Sequence, residues 1–174
     1  MTILDYINYF KTAAINNKLL LHTDEEHHFY FVENQDFLNE ISNGGKPPFM
    51  FLMIPDIATN DQLSDNVRDV FNGEVQILDY VADAADVADI AAKLESTMEI
   101  IQQIRQKMQN DRRRAQTFPN PSNILRHLDL NTIHFTKVMN VFDNNYGWSM
   151  TFQLNEPADM EFDEDEWNGE ESYY

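Results

Sequence analysis

Residues 133 to 154, IHFTKVMNVFDNNYGWSMTFQL, hold two alternating apolar runs joined by a short polar turn, and this block restricts the fold more than any other part of the chain. Trp148, Met150, Phe152 and Leu154 fall on one face of an extended segment, with Ser149, Thr151 and Gln153 on the other. A period of two is the pattern of a half-buried strand. Ile133, Phe135, Met139 and Val141 give the preceding strand its own apolar face, interrupted by Lys137. Between the runs, Asp143, Asn144, Asn145 and Gly147 are residue types that tolerate positive φ or bond their own backbone. The spacing therefore predicts a hairpin with a loop of four or five residues.

What precedes the hairpin has the other period. From about Asp83 to Asn110, the positions Val87, Ile90, Ala91, Leu94, Met98, Ile101, Ile104 and Met108 step by three and four. This predicts an amphipathic helix of about 28 residues, roughly 42 Å long. Asp83, Asp86 and Asp89 stand near its start, and Arg112, Arg113 and Arg114 just past its expected end, which complements the helix dipole. The basic run is too short to line a nucleic-acid groove. Helix-end complementarity accounts for it, and a contact with an acidic surface of another subunit is the remaining reading.

Upstream, Ile3, Ile7, Phe10 and Ala14 recur at helical spacing, with Thr2 as N-cap and Asn16 and Asn17 as a stop. Phe29 to Val32 reads as a short strand, and Asp36 to Ile41 as a turn or two of helix before Asn43, Gly44 and Gly45. Phe49 to Ile54 is apolar throughout between prolines 47, 48 and 55, as expected of a central strand covered on both faces. Residues 55 to 73 are polar and read as a long excursion. Val75, Ile77 and Val81 then alternate with Gln76, Leu78 and Tyr80 in a strand leading to the long helix. After Pro119 and Pro121, Ser122 is placed to cap a short helix through Leu128. The resulting expectation is α+β: an antiparallel or mixed sheet of four to five strands packed by one long and one N-terminal helix, with an acidic C-terminal tail. Residues 1–155 form a single domain and 156–174 the tail, FDEDEWNGEESYY at its end, which is expected to be mobile.

Charge narrows the function classes. The net charge is −18 over 174 residues, and nine of the acidic side chains lie in residues 156–174, leaving −9 upstream. Such a surface repels phosphate backbones and argues against a conventional nucleic-acid-binding module. No cysteine is present, which removes thiolate catalysis and Cys-based zinc sites. No apolar run approaches a membrane span, and the first residues lack the grammar of a signal peptide.

Few motifs suggest chemistry. His22, Asp24, Glu25, Glu26, His27 and His28 are the densest set of ligand types, but they read as a polar turn entering a strand, where neighbours point apart. Asp163, Glu164, Asp165 and Glu166 lack the spacing of a calcium loop. Gly44, Gly45 and Lys46 lack the rest of a phosphate loop, and His127 and His134 have no nucleophile nearby in the chain. No catalytic residue, metal or cofactor is expected. Trp167, Tyr173 and Tyr174 are aromatic anchors that an acidic tail could use for docking.

The order helix, strands, long helix, closing hairpin resembles the tail terminator and head-to-tail joining (neck ring) proteins of tailed bacteriophages. The segment VFDNNYGWSMTFQL is similar to the closing strand pair of such proteins in phages of Bacteroidetes hosts. The resemblance spans about residues 1 to 155; the 55–73 excursion and the tail depart from it. It implies a virion structural protein, assembled in the host cytoplasm, with no enzymatic role. Six or twelve copies would ring the DNA channel, contacting portal, neck or tail-tube proteins above and below, and DNA would pass without sequence-specific binding. The hairpin and long helix would supply intersubunit contacts, with Arg112, Arg113, Arg114, Phe142, Tyr146, Trp148, Trp167, Tyr173 and Tyr174 as candidate interface residues. The alternative class is an acidic inhibitory or immunity-type protein that captures a basic enzyme with salt-sensitive affinity. A metal-dependent enzyme built on His22 to His28 is the weakest of the three.

Overall fold

A computed structural model describes residues 1–20, 22–23, 25–32, 46–60, 67–118, 123–142 and 144–158. In chain order these form α1 (Ile3–Asn16), β1 (Phe29–Val32), β2 (Phe49–Met53), β3 (Asp56–Asn60), β4 (Arg68–Tyr80), α2 (Val87–Thr117), a 3-10 turn (Ile124–His127), β5 (Leu128–Val141) and β6 (Asn145–Pro157). The fold is α+β, with two helices packed on a mixed six-stranded sheet. The expected helical turn at Asp36–Ile41, the Ser122 cap, Asp143 and the tail beyond Ala158 lie outside the described residues.

The sheet runs β1-β2-β4-β6-β5, with β3 added beside β4. Only β1 and β2 are parallel. The centre is the β4–β6 ladder, in register from Arg68 opposite Pro157 to Tyr80 opposite Asn145. Residues directly opposite share a face, so Phe71, Val75 and Ile77 align with Leu154, Met150 and Trp148. Met50 and Leu52 of β2 extend this face, which is buried against Tyr6, Phe10 and Ala14 of α1 and Ile100, Ile101, Ile104 and Met108 of α2. The opposite face carries a smaller apolar cluster, Tyr30, Phe49, Phe51 and Leu78, with Val138 and Val141 against it. β2 is therefore buried on both sides, as the run FMFLM suggested. Leu78, which falls on the polar side of a simple alternation, is fully buried in this second cluster.

Several expectations are corrected. The 55–73 segment contains a strand pair, not one long excursion, because β3 zips onto Asn72–Arg68 of β4. Leu52 faces Val75 and Asp56 faces Asn72, so four steps along one strand match three along the other. That mismatch is a β-bulge at Met53–Pro55, where the proline has no N–H to contribute. The closing hairpin is joined by three residues, 142–144, instead of four or five, since Asn145 already pairs with Val141. Positive φ falls on Asn140 (51°), Phe142 (46°) and Asn144 (66°). Along β5, the ladder slips between Asp129 and His134 and again between Val138 and Val141. The second slip leaves Met139 exposed and brings Val141 onto the same face as Val138, against the smaller cluster. Strand β6 continues to Pro157, two residues past the expected domain end. In α1 the buried face is Tyr6, Phe10, Ala13 and Ala14, with Ile3 exposed, and Thr2 and Asp5 form a capping box.

Gly147 is not a turn residue. It sits inside β6 opposite Leu78, where a Cβ would lie 1.9 Å from the Ile77 carbonyl oxygen and 3.0 Å from Leu78 Cα. A Cβ on Gly73 would instead meet the Phe152 ring at 2.4 Å and the Tyr6 hydroxyl at 2.9 Å, both side-chain atoms. Gly147→Ala is accordingly expected to lower unfolding free energy by about 3 kcal/mol, and Gly73→Ala by about half as much, measured by urea denaturation.

Candidate functional site

Helix α2 organises the candidate surfaces because it is longer than its sequence spacing suggested. Its N-cap is Asp86, whose carboxylate accepts the Ala88 and Asp89 backbone N–H groups at 3.0 and 3.1 Å, while Asp83 accepts from Ala85 one turn earlier. Nothing breaks the helix at Asn110, and it continues to Thr117, with the Phe118 N–H closing onto the Arg114 carbonyl. Arg112, Arg113 and Arg114 therefore lie within the last two turns of the helix and not beyond it.

Its middle is fixed to the sheet by polar contacts. The Lys93 ammonium reaches the Asp79 carboxylate of β4 at 3.1 Å, and the Trp148 indole N–H donates to the Leu94 carbonyl at 2.9 Å. Thr97 is fully buried, and its hydroxyl donates to the Lys93 carbonyl at 2.7 Å, so it needs no outside partner. Nearer the C-terminus, the Asp111 carboxylate accepts from the Tyr9 hydroxyl at 3.0 Å and from Lys107 at 2.7 Å, tying α1 to α2. Burial, with the Asp111 charge, holds the Tyr9 phenol well above its ordinary pKa, so it stays a donor.

The arginines are treated differently from these lysines. Arg105 stacks over the Phe135 ring at 5.6 Å, Arg113 and Arg114 are exposed, and Arg112 is half-buried. The Nε atoms of Arg105 and Arg112 are buried without a hydrogen-bond partner. Among the described residues, none of the four forms an ion pair, whereas Lys46, Lys93 and Lys107 each do. Beside this basic end stands Phe118, 76% exposed; at the opposite, acidic end stands Val87, also 76% exposed. Val87 belongs to the apolar stripe by spacing, but as the first helical residue it is left exposed.

The remaining candidate interface residues divide sharply. Tyr146 is buried, and Trp148 packs against the core with its N–H satisfied, so both belong to the scaffold. Phe142 sits in the hairpin loop with a third of its surface exposed, and its carbonyl accepts from the Asn145 amide. Trp167, Tyr173 and Tyr174 lie outside the described residues. The long helix brings the arginines together with Phe118, an exposed aromatic that the sequence reading overlooked. Its signal was available: it is the last residue before Pro119.

The histidine segment is also only partly a solvated turn. His22 and His28 are buried, and the His28 backbone N–H donates to His22 Nδ1 at 3.1 Å. His28 Nδ1 lies 3.0 Å from the Pro48 carbonyl oxygen, which requires that nitrogen to carry the proton. Glu25, Glu26 and His27 are exposed, with Glu26 paired to Lys46. Among the described residues no group of three His, Cys, Asp or Glu could hold a metal ion. A shallow cavity of about 400 Å³ lies between α1 and α2, lined by residues that include Asn17, Lys18, Gln103 and Lys107, and the Asn17 side-chain amide donates a hydrogen bond to the Gln103 side-chain carbonyl at 3.1 Å. No described helix is long and apolar enough to cross a membrane. No protein-family model, curated protein or solved structure matches the chain.

Two outcomes are expected. Trp148→Phe removes the bond to Leu94 and lowers stability by about 1 kcal/mol while leaving self-association unchanged, which paired denaturation and light-scattering measurements check. At the 3-10 turn, burial depresses the His127 pKa, opposed by Glu156 and assisted by Arg126 and Arg68. A depressed folded-state value means that the unfolded chain takes up the proton first. This residue's contribution is therefore present above the unfolded pKa of about 6.5 and lost as pH falls through the lower folded value. His127→Asn should flatten the decline in stability between neutral and mildly acid pH, read from denaturation at a series of pH values.

Proposed function

We propose that this chain is a structural subunit of a tailed-phage neck or upper tail, forming a homomeric ring of six or twelve copies around the DNA channel that joins head and tail. The observation that carries this reading is the directional charge of α2, acidic and capped by Asp86 at one end and bearing at the other arginines that form no ion pair among the described residues. A subunit whose opposite ends differ and complement one another makes heterologous contacts, and heterologous contacts that close under rotation make rings.

Two further features support it. The sheet ends in β5, a 14-residue edge strand whose outer side has no partner among the described residues, and whose two register slips blunt it against indiscriminate strand pairing. Exposed Leu130, Met139 and Phe142 along this hairpin offer apolar contact area to a neighbouring copy or to an adjacent ring. The net charge of −18 suits a lumen through which DNA slides, since each cation fixed on a phosphate adds affinity and friction. Portal, neck and tail-tube proteins are the partners above and below.

Light scattering on size-exclusion fractions and electron microscopy of the purified protein test the reading. Closed rings of six or twelve copies are the expected result. A strict monomer at high concentration, with no affinity for portal or tail proteins, overturns it. Stoichiometric capture of one basic enzyme, released by salt, would assign the chain to the inhibitory class instead.

A further inference from the structure

We infer that α2 is a two-ended connector, in which the arginine and Phe118 end of one copy docks on the aspartate and Val87 end of the next. The inference rests on the ring reading and names the residues that would make its contact.

The two ends match in kind. Half of the chain's twelve Lys and Arg residues, Arg105, Lys107, Arg112, Arg113, Arg114 and Arg126, fall between positions 105 and 126. Lys107 is neutralised by Asp111, and that carboxylate is also engaged by Tyr9. Among the described residues, Arg105, Arg112, Arg113 and Arg114 form no ion pair with a carboxylate. At the other end, among the described residues, the Asp83 and Asp86 carboxylates accept from backbone N–H groups and form no ion pair, and both residues are exposed. Val87 and Phe118 are the two most exposed large apolar side chains described, and each stands among charges of one sign. Docking one end on the other pairs unlike charges and removes both apolar groups from water in a single contact.

Geometry makes the contact directional. The 31 residues of α2 place the two ends about 46 Å apart. The basic end of one copy therefore meets the acidic end of a second copy and leaves its own acidic end free for a third. A polyanion such as DNA is the poorer occupant. It matches the arginines but finds an otherwise acidic surface around them, and it offers nothing to Val87 at the far end.

Charge reversal at each end tests the contact. One variant carries Arg113→Glu and Arg114→Glu, the other Asp83→Lys and Asp89→Lys; the Asp86 cap is kept in both. Circular dichroism and thermal melts verify folding, and sedimentation velocity gives the mass. The wild type is expected to assemble beyond two copies. Each variant alone should self-associate at least tenfold more weakly, because like charges then meet. Mixed one to one, the two variants should recover assembly, since the native arginine end of the second fits the native aspartate end of the first. An oligomeric wild type whose variants assemble unchanged overturns this contact and leaves the ring reading standing. A wild type that stops at two copies overturns the head-to-tail arrangement. A monomeric wild type overturns both. Phe118→Ser and Val87→Ser, which leave charge untouched, should weaken assembly at high salt; no change there also counts against the contact.

Discussion

The structure depends on the close approach of β4 and β6. Their antiparallel ladder runs unbroken from Arg68 to Tyr80, and at Gly147 it brings one backbone so near the other that no side chain fits between them. Everything else is placed from this pair. Residues alternating along it present Val75, Ile77, Met150 and Phe152 to the helices, while Leu78 reaches the aromatic cluster on the other side. Gly73 leaves room for the Phe152 ring and the Tyr6 hydroxyl, which seats α1. Trp148 and Asp79, at the same end of the ladder, each hold α2 through a polar contact. Buried polar groups of this kind set position more than they add net stability, because a satisfied bond is worth little over water but an unsatisfied one is costly.

Much of this was legible, and the reasons for the misses are physical. Met150, Phe152 and Leu154 alternate without a fault and are buried without a fault. The run FMFLM is buried on both faces because the sheet carries two apolar clusters. By contrast, the residues Asp56–Asn60 are all exposed, so burial imposed no period on them and their pairing with β4 left no trace in residue type. Val141 would share the face of Ile133 and Phe135 in a regular alternation, but the slip after Val138 shifts it by one position, and a one-residue slip moves a side chain to the other face.

The candidate site was legible in composition and not in geometry. Three aspartates spaced by three each fit a helix start, and only the hydrogen bonds to Ala88 and Asp89 single out Asp86 as the cap. At the other end, the apolar spacing stops at Met108, which places the basic run just past the helix. Asn110, Asp111 and three arginines nevertheless continue a helix whose first true obstacle is Pro119. Trp148 is a candidate interface residue as part of the closing hairpin, but its indole N–H donates to a carbonyl inside the same molecule.

Placing the arginines inside α2 changes what they can do. A basic run beyond a helix end is a loop whose side chains can reach several ways, and it complements the dipole wherever they settle. Held in the last two turns, Arg113 and Arg114 are exposed on a rigid rod, while Arg105 lies over the Phe135 ring of the sheet and Arg112 is half-buried, both with Nε buried and without a partner among the described residues. The dipole accounts for positive charge at that end, worth at most about 1 kcal/mol per exposed residue, but it asks for no counter-ion and does not explain an exposed Phe118 beside it. Among the described residues this cluster forms no ion pair, while Lys93 and Lys107 of the same helix are each matched to an aspartate, which keeps a defined positive end available. A rod with one such end and an aspartate-capped opposite end has a direction, and direction is what a subunit needs to follow its neighbour around a ring.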